Sequence, residues 1–135
     1  MAGQNGGAAA KGWVQCEVGR FRLETDWEIA PGQVSVLFGP SGAGKSTTLR
    51  AIAGLLRPVQ GHVEVGGQVV YDSDDKVWIP THNRRVGYLT QQYGLFPHLK
   101  VTGNIGFGLK DRNSAASRDR ISELSSLFQV DDLMD

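Results

Sequence analysis

The chain has 135 residues, which is enough for one domain with a hydrophobic core and too few for two. Its 14 basic and 14 acidic residues cancel, so charge gives no reason to expect nucleic acid as a partner. The single cysteine, Cys16, excludes an internal disulfide and a cysteine metal cluster and fits a reducing compartment. The sequence has no run of roughly 18–20 apolar residues, so it does not predict a membrane span. Residues 1–12 are small and polar and lack the apolar core of a secretory signal, so we interpret them as a disordered tail of a cytoplasmic protein, followed by a domain over residues 13–135.

Strand and helix patterns begin after this tail. Residues 21–29 alternate between one uncharged face and one charged face, which is typical of a half-exposed antiparallel strand. Residues 34–38 are nearly all apolar and short, and they predict a strand buried on both faces. A helix is expected to begin near Lys45 and to run through Leu56 before Pro58 ends it.

The second half of the chain gives shorter signals. Residues 62–65 and 68–71 predict a β-hairpin, because Gly66-Gly67 between them can adopt positive φ at both positions. Residues 85–89 predict another strand. Ser114 or Asn113 is the predicted cap of a last helix, whose apolar face is formed by Ile121, Leu124, Leu127 and Phe128.

The chemistry-bearing feature is a match to Gly-x-x-x-x-Gly-Lys-[Ser/Thr] between the predicted buried strand and the first helix. Such a glycine-rich loop turns successive backbone N–H groups toward phosphate oxygens, and the helix that follows adds its positive end. Lys45 would reach the β- and γ-phosphates, and the Ser46 hydroxyl would be a ligand of Mg²⁺. The predicted nucleotide-binding residues are Gly39, Pro40, Ser41, Gly42, Ala43, Gly44, Lys45, Ser46 and Thr47.

The sequence beyond this P-loop resembles the ATP-binding subunits of ABC transporters. The resemblance runs from about Phe21 to the C-terminus and rests on Leu55-Leu56-Arg57-Pro58 with Gly61, on residues 84–91 and on residues 95–104. It implies an α/β P-loop NTPase domain with an antiparallel β subdomain and the start of a helical subdomain, with ATP and Mg²⁺ as cofactors. It also implies that Gln91 is the Q-loop glutamine, which reaches Mg²⁺ and the attacking water.

The same resemblance implies the partners. They are a transmembrane permease, which the Q-loop senses, and a second ATP-binding subunit in a homodimer on the cytoplasmic face of the cell membrane. Within the family, residues 71–73 and 79–88 look like the ATP-binding subunits of importers of molybdate and related oxyanions. Sulfate, iron and sugar importers share much of this sequence.

Three family motifs do not occur in the sequence: the Leu-Ser-Gly-Gly-Gln signature, the apolar run ending in Asp-Glu, and the later switch histidine. Residues 127–132 are a near-match to the apolar run, but Gln129 interrupts it, so a helix is favoured over a Mg²⁺-binding strand end at Asp131 and Asp132. We therefore expect an incomplete chain that binds ATP·Mg²⁺ without turnover and that is marginally stable or prone to aggregate.

Other readings remain open. A P-loop nucleotide or small-molecule kinase would need an arginine-rich lid, and a non-catalytic module would keep the P-loop only as structure. His82 and His98 are not interpreted as metal ligands or bases, because no second His, Cys or paired acid lies at ligand spacing. The family usually stacks an aromatic residue on adenine; Phe21 is favoured as core, and Cys16 and Val18 stand near the expected position.

Overall fold

A computed structural model of the chain describes residues 8–133 and divides the chain into two compact units, one ending at Tyr88 and one beginning at Leu89. The first unit is built on a five-stranded sheet with the order β2-β1-β3-β4-β5, in which every neighbouring pair is antiparallel. Its elements in chain order are β1 (Ala10–Val18), β2 (Phe21–Ile29), α1 (Lys45–Ala53), β3 (Gln60–Val65), β4 (Gln68–Asp72) and β5 (Val77–Trp78).

Strands β1 and β2 form a long hairpin, with Ala10 opposite Ile29 and Val18 opposite Phe21. Along β2 the charged side chains are exposed and the alternate ones, from Leu23 onward, are half-buried, so the predicted half-exposed antiparallel strand is confirmed.

Strand β1 was not predicted. Its sequence mixes glycine and charged residues, and its extended form depends on hydrogen bonding to β2 on one side and to β3 on the other. The predicted tail is therefore too long, because residues 10–12 belong to β1; residues 1–7 lie outside the described residues.

The predicted β3–β4 hairpin is confirmed. Val65 lies opposite Gln68, and the two residues between them, Gly66 and Gly67, have φ of 57° and 76°. The hairpin supplies the centre of the hydrophobic core, where the side chain of Tyr71 donates a 2.9 Å hydrogen bond to the Pro58 carbonyl. The buried core residues are Val14, Cys16, Ala51, Val63, Val70 and Tyr71.

The prediction of a buried strand over residues 34–38 is wrong. Val34, Val36 and Phe38 are 92%, 80% and 99% exposed, and none of the strands among residues 8–133 pairs with this segment. A short apolar strand is buried on both faces only where strands flank it and further layers cover it. The antiparallel sheet does not provide such neighbours, so the segment is an exposed apolar stretch leading directly into the P-loop.

Two further predictions differ from the structure, one of a strand and one of the end of a helix. Residues 85–89 are not a strand, because Arg85 adopts a left-handed conformation with φ of 53° and the segment joins no ladder. Helix α1 begins at Lys45 as predicted but ends at Ala53, before Leu56. Its cap is Gly54, which has φ of 78° and donates its N–H to the Ala51 carbonyl.

The described part of the second unit, residues 89–133, contains two α-helices, α2 (Val101–Ile105) and α3 (Ala115–Leu127). The Ser114 hydroxyl accepts a hydrogen bond from the Ser117 N–H, which confirms one of the two predicted caps. Ile121 and Leu124 on the predicted apolar face are half-buried, whereas Leu127 and Phe128 are exposed. Within residues 8–133, no helix has the length and apolarity needed to cross a membrane.

Candidate functional site

The P-loop lies between the exposed apolar segment 34–38 and helix α1. Three glycines in this loop, Gly39, Gly42 and Gly44, have φ of 156°, 83° and 96°. The Ala43 N–H donates to the Pro40 carbonyl and closes the turn at 3.2 Å. This local conformation follows from the sequence, since residues with side chains rarely adopt such φ values.

Helix α1 presents its N-terminal end at this loop. The first intrahelical bond runs from the Thr48 N–H to the Gly44 carbonyl at 2.9 Å, and the Thr48 hydroxyl donates to the same carbonyl at 3.1 Å. The N–H groups that precede Thr48 in the first turn cannot have helical partners. Together with the helix dipole, they make this end of α1 suited to an anion.

Lys45 and Ser46 add the side chains that an anion and a metal would use. The Lys45 ammonium donates to the carbonyls of Gly39 and Pro40, at 2.8 and 2.7 Å, so it bridges over the loop within reach of any ligand held there. The Ser46 side chain is exposed in the first turn of α1. Because Mg²⁺ takes one or two protein oxygens and completes its shell with phosphate and water, a single exposed hydroxyl fits that role.

A cavity of about 440 Å³ opens over the P-loop. One side is polar and is made by the loop and the first turn of α1, and the other side is apolar and is made by Val18 and Phe21. The cavity is lined by Val18, Phe21, Ser41, Gly42, Gly44, Lys45, Ser46 and Thr47. Its volume suits a small polar ligand with one apolar part.

Phe21 was interpreted as a core residue, and the structure corrects this. Its side chain is 37% exposed and forms part of the cavity wall, and a Cβ at Gly44 would lie 3.3 Å from the ring. Val18 is 45% exposed and Cys16 is buried. Sequence reasoning missed the paired wall because it did not identify β1, whose register places Val18 directly across from Phe21.

Gln91 lies in the second unit, in an irregular stretch that no strand includes. It is exposed, and it opens a turn in which Tyr93 and Gly94 have φ of 60° and 67°. Downstream in the same unit, the Asn104 side chain accepts from the Phe96 N–H at 2.8 Å and donates to the Leu99 carbonyl at 3.1 Å. The Asn104 side chain therefore fixes the backbone of residues 96–99.

Outside the P-loop, the titratable side chains that the structure describes do not form a metal site. No group of three or more His, Cys, Asp or Glu side chains in residues 8–133 is arranged to hold a metal ion. His62, which the sequence did not single out, pairs with Asp72 at 2.7 Å between β3 and β4. Asp131 follows helix α3 and accepts hydrogen bonds from the hydroxyls of Ser125 and Ser126, which lower the pKa of Asp131. Residues 127–132 are thus a helix end and not a strand end, as favoured from the sequence.

The sequence model of the family described as ABC transporter matches residues 23–135, which is most of the chain. The chain belongs to the ABC transporter family. Proteins described as molybdenum import ATP-binding protein ModC are among its relatives. Those from Mycobacterium tuberculosis (strain CDC 1551 / Oshkosh) and Methylococcus capsulatus are 45% identical over 113 residues and 43% identical over 115, covering 81% and 85% of this chain. The protein from Vibrio parahaemolyticus is 38% identical over 110 residues, or 82% of this chain.

These comparisons also fix the fold class. A solved bacterial Atm1-family ABC exporter with ATP bound matches 98% of this chain with a TM-score of 0.68 and 23% identity, and the match covers 25% of that exporter chain. The chain therefore has the mixed α/β fold of an ABC ATPase domain, with the antiparallel sheet and helices described above, as predicted. The matched part of the chain covers about a third of each relative's own length: 31% for the Mycobacterium tuberculosis protein, 32% for the Methylococcus capsulatus protein and 30% for the Vibrio parahaemolyticus protein.

Proposed function

We propose that this ABC-family chain binds ATP with Mg²⁺ at its P-loop, and that it is the energy-coupling subunit of an importer of molybdate or a related oxyanion. The observation that carries the ATP site is the cavity over the P-loop, which combines a backbone N–H cradle, Lys45 and Ser46 with the apolar wall of Val18 and Phe21. Triphosphate, metal and nucleobase each have a matching surface in this single cavity.

Each part of the site has a role in the proposal. The N–H groups of the loop and of the first turn of α1 bind the phosphate oxygens, and Lys45 exchanges its two carbonyl partners for the β- and γ-phosphates. Ser46 would be a protein ligand of the Mg²⁺, which neutralises phosphate charge, and Gln91 is proposed as the Q-loop glutamine of the family. Phe21 and Val18 receive the nucleobase, since an aromatic face stacks on a base without needing hydrogen bonds.

The family and the names of the relatives support the proposed partners. The names state molybdenum import, which supports molybdate as the cargo, and membership of the ABC transporter family supports a transmembrane permease as the partner. We propose that two ATP-binding subunits pair in the working transporter, on the cytoplasmic face of the cell membrane.

Isothermal titration calorimetry of the 135-residue chain with ATP, in the presence and absence of Mg²⁺, tests the binding site. Lys45→Ala is expected to weaken ATP binding about 10–100-fold, because a charge-assisted hydrogen bond contributes about 1.5–3 kcal/mol. Lys110→Ala removes the same charge at an exposed position of the second unit and is the matched control. Equal affinity in wild type and Lys45→Ala would remove the P-loop from the proposed site.

Turnover is tested separately. The sequence contains no apolar run ending in Asp-Glu and no signature motif, so we propose that this chain alone releases phosphate from ATP at background rate. The measurement is steady-state phosphate release with Mg²⁺. A steady rate in wild type that Lys45→Ala abolishes would contradict the proposal.

The cargo is tested in cells that carry this chain. Disrupting its gene is expected to reduce uptake of radiolabelled molybdate, with sulfate uptake measured in the same cells as the control. Loss of sulfate uptake with unchanged molybdate uptake would assign a different oxyanion, and an effect on neither would reject the oxyanion proposal.

A further inference from the structure

Arg84 is an almost fully buried arginine far along the chain from the P-loop. Its side chain is 2% exposed and makes three hydrogen bonds to backbone carbonyls. The Nε group donates to Ile79 at 2.7 Å, and Nη1 donates to Ala51 and to Ile52 at 3.0 Å each. Its guanidinium carbon also lies 4.6 Å from the centre of the Trp78 ring, which is the distance of a cation–π contact.

Two of the three acceptors belong to the last turn of helix α1. The last four carbonyls of a helix have no partners within it, and a cation there also faces the negative end of the helix dipole. The structure makes room for this contact at Gly54, where a Cβ would lie 2.5 Å from the Arg84 Nε. The Thr81 hydroxyl adds a 2.8 Å hydrogen bond to the Gly54 carbonyl from the same segment.

Fold stability alone is a poor explanation for this arrangement. Burying a charge costs free energy, and packed apolar side chains commonly stabilise a core as well as a buried charge does. Desolvation lowers the pKa of Arg84, and its Nη2 atom has no hydrogen-bond partner among the described residues. The forked guanidinium instead fixes geometry, because it joins the end of α1 to Ile79 through donors held in one plane.

We infer that Arg84 is a positioning residue for the phosphate site, acting through helix α1. The helix has nine residues and is therefore about 14 Å long, so holding its C-terminal end sets the direction of the N-terminal end that carries Lys45 and Ser46. The inference rests on the proposed function, since it concerns the same ATP site. It assigns Arg84 no contact with the nucleotide.

The test compares Arg84→Met and Arg84→Lys with wild type, using the full chain at a temperature where circular dichroism shows each protein to be folded. Met removes all three hydrogen bonds, and Lys keeps the charge but cannot span both acceptor segments. ATP affinity by calorimetry is expected to fall about tenfold in Arg84→Met and less in Arg84→Lys. Amide hydrogen exchange of α1, measured without nucleotide, is expected to accelerate in the same order while exchange of β3 stays unchanged.

Val63→Ala is the matched control, because it opens a cavity in the sheet core and removes none of the hydrogen bonds of Arg84. It should leave ATP affinity within about twofold of wild type once folded. The inference is overturned if folded Arg84→Met keeps wild-type affinity, or if Val63→Ala weakens ATP binding equally. Should Arg84→Met not fold, unchanged affinity and unchanged α1 exchange in Arg84→Lys overturn it. If wild type itself fails to bind ATP, the proposed function is rejected, and the exchange of α1 then decides whether Arg84 holds the helix.

Discussion

Phe21 lies directly across the β1–β2 hairpin from Val18, and both side chains face the cavity over the P-loop. The same ring approaches Gly44, the residue before helix α1. The end of the hairpin and the P-loop therefore line the same cavity within the first unit. This relationship makes the proposed base-binding and phosphate-binding surfaces separately testable.

Replacing Phe21 with Ala is expected to weaken ATP binding at least about fivefold, because stacking of a base on an aromatic ring contributes about 1–3 kcal/mol. Binding of inorganic triphosphate should be unchanged, since it presents phosphates and no base. Calorimetry with both ligands measures the difference. Phe128→Ala, at an exposed position after α3, is the control. Equal losses for ATP and triphosphate would mean that Phe21 supports the loop and does not contact the base.

Gly44→Ala is expected to disturb the loop itself. Gly44 has φ of 96°, and a Cβ there would lie 2.8 Å from Leu23 Cδ1, so both the backbone and the packing oppose a side chain. The free energy of unfolding should fall by about 1–3 kcal/mol, the usual cost of forcing a residue into a sparsely populated conformation. Urea denaturation measures the change. Gly87→Ala, where nothing lies within 4 Å of the added Cβ, should have little effect.

The parts of the structure that sequence reasoning anticipated are those set by neighbouring residues. The P-loop and the start of α1 follow from glycine spacing and a helix-starting Lys45, and the Gly66-Gly67 turn follows from positive φ. The parts that it missed depend on distant partners. Strand β1 is extended because β2 and β3 pair with it, and Arg84 is buried because carbonyls more than thirty residues away accept its hydrogen bonds.

The same distinction explains the errors at the site. Phe21 lies on the uncharged face of an alternating strand, which is typical of a core residue. Only the pairing of β2 with β1, which sets Val18 opposite Phe21, places it at the cavity. The apolar run over residues 34–38 has the composition of a buried strand, but burial needs neighbours that composition cannot supply. The role of Lys45 is tested by the calorimetry described above, and the roles of Ser46 and Gln91 stay predictions.

The exposed apolar segment predicts self-association of the isolated chain at micromolar concentration. Val36 and Phe38 are 80% and 99% exposed next to an unpaired backbone, a combination that favours contact between copies. The double substitution Val36→Thr and Phe38→Ser is expected to reduce oligomers severalfold, measured by sedimentation velocity. Phe128→Ser removes one exposed aromatic side chain from the second unit and is the control. A wild-type chain that stays monomeric across that range would contradict the prediction.

The pH dependence of stability is expected to include a contribution from Asp72. The backbone N–H of Asp75, then the side chain of His62 and the N–H of Asp74, hold the pKa of this carboxyl below its ordinary value. A lowered native pKa means that the ionised form stabilises the fold above the unfolded pKa of about 3.9, and that this stabilisation is lost as pH falls through the native pKa. The difference in unfolding free energy between wild type and Asp72→Asn should therefore shrink as pH falls below about 4. Urea denaturation across this pH range measures it, with Asp119→Asn on α3 giving the effect of removing one exposed carboxylate. A difference that is the same at every pH would show that Asp72 acts through its shape and not through its charge.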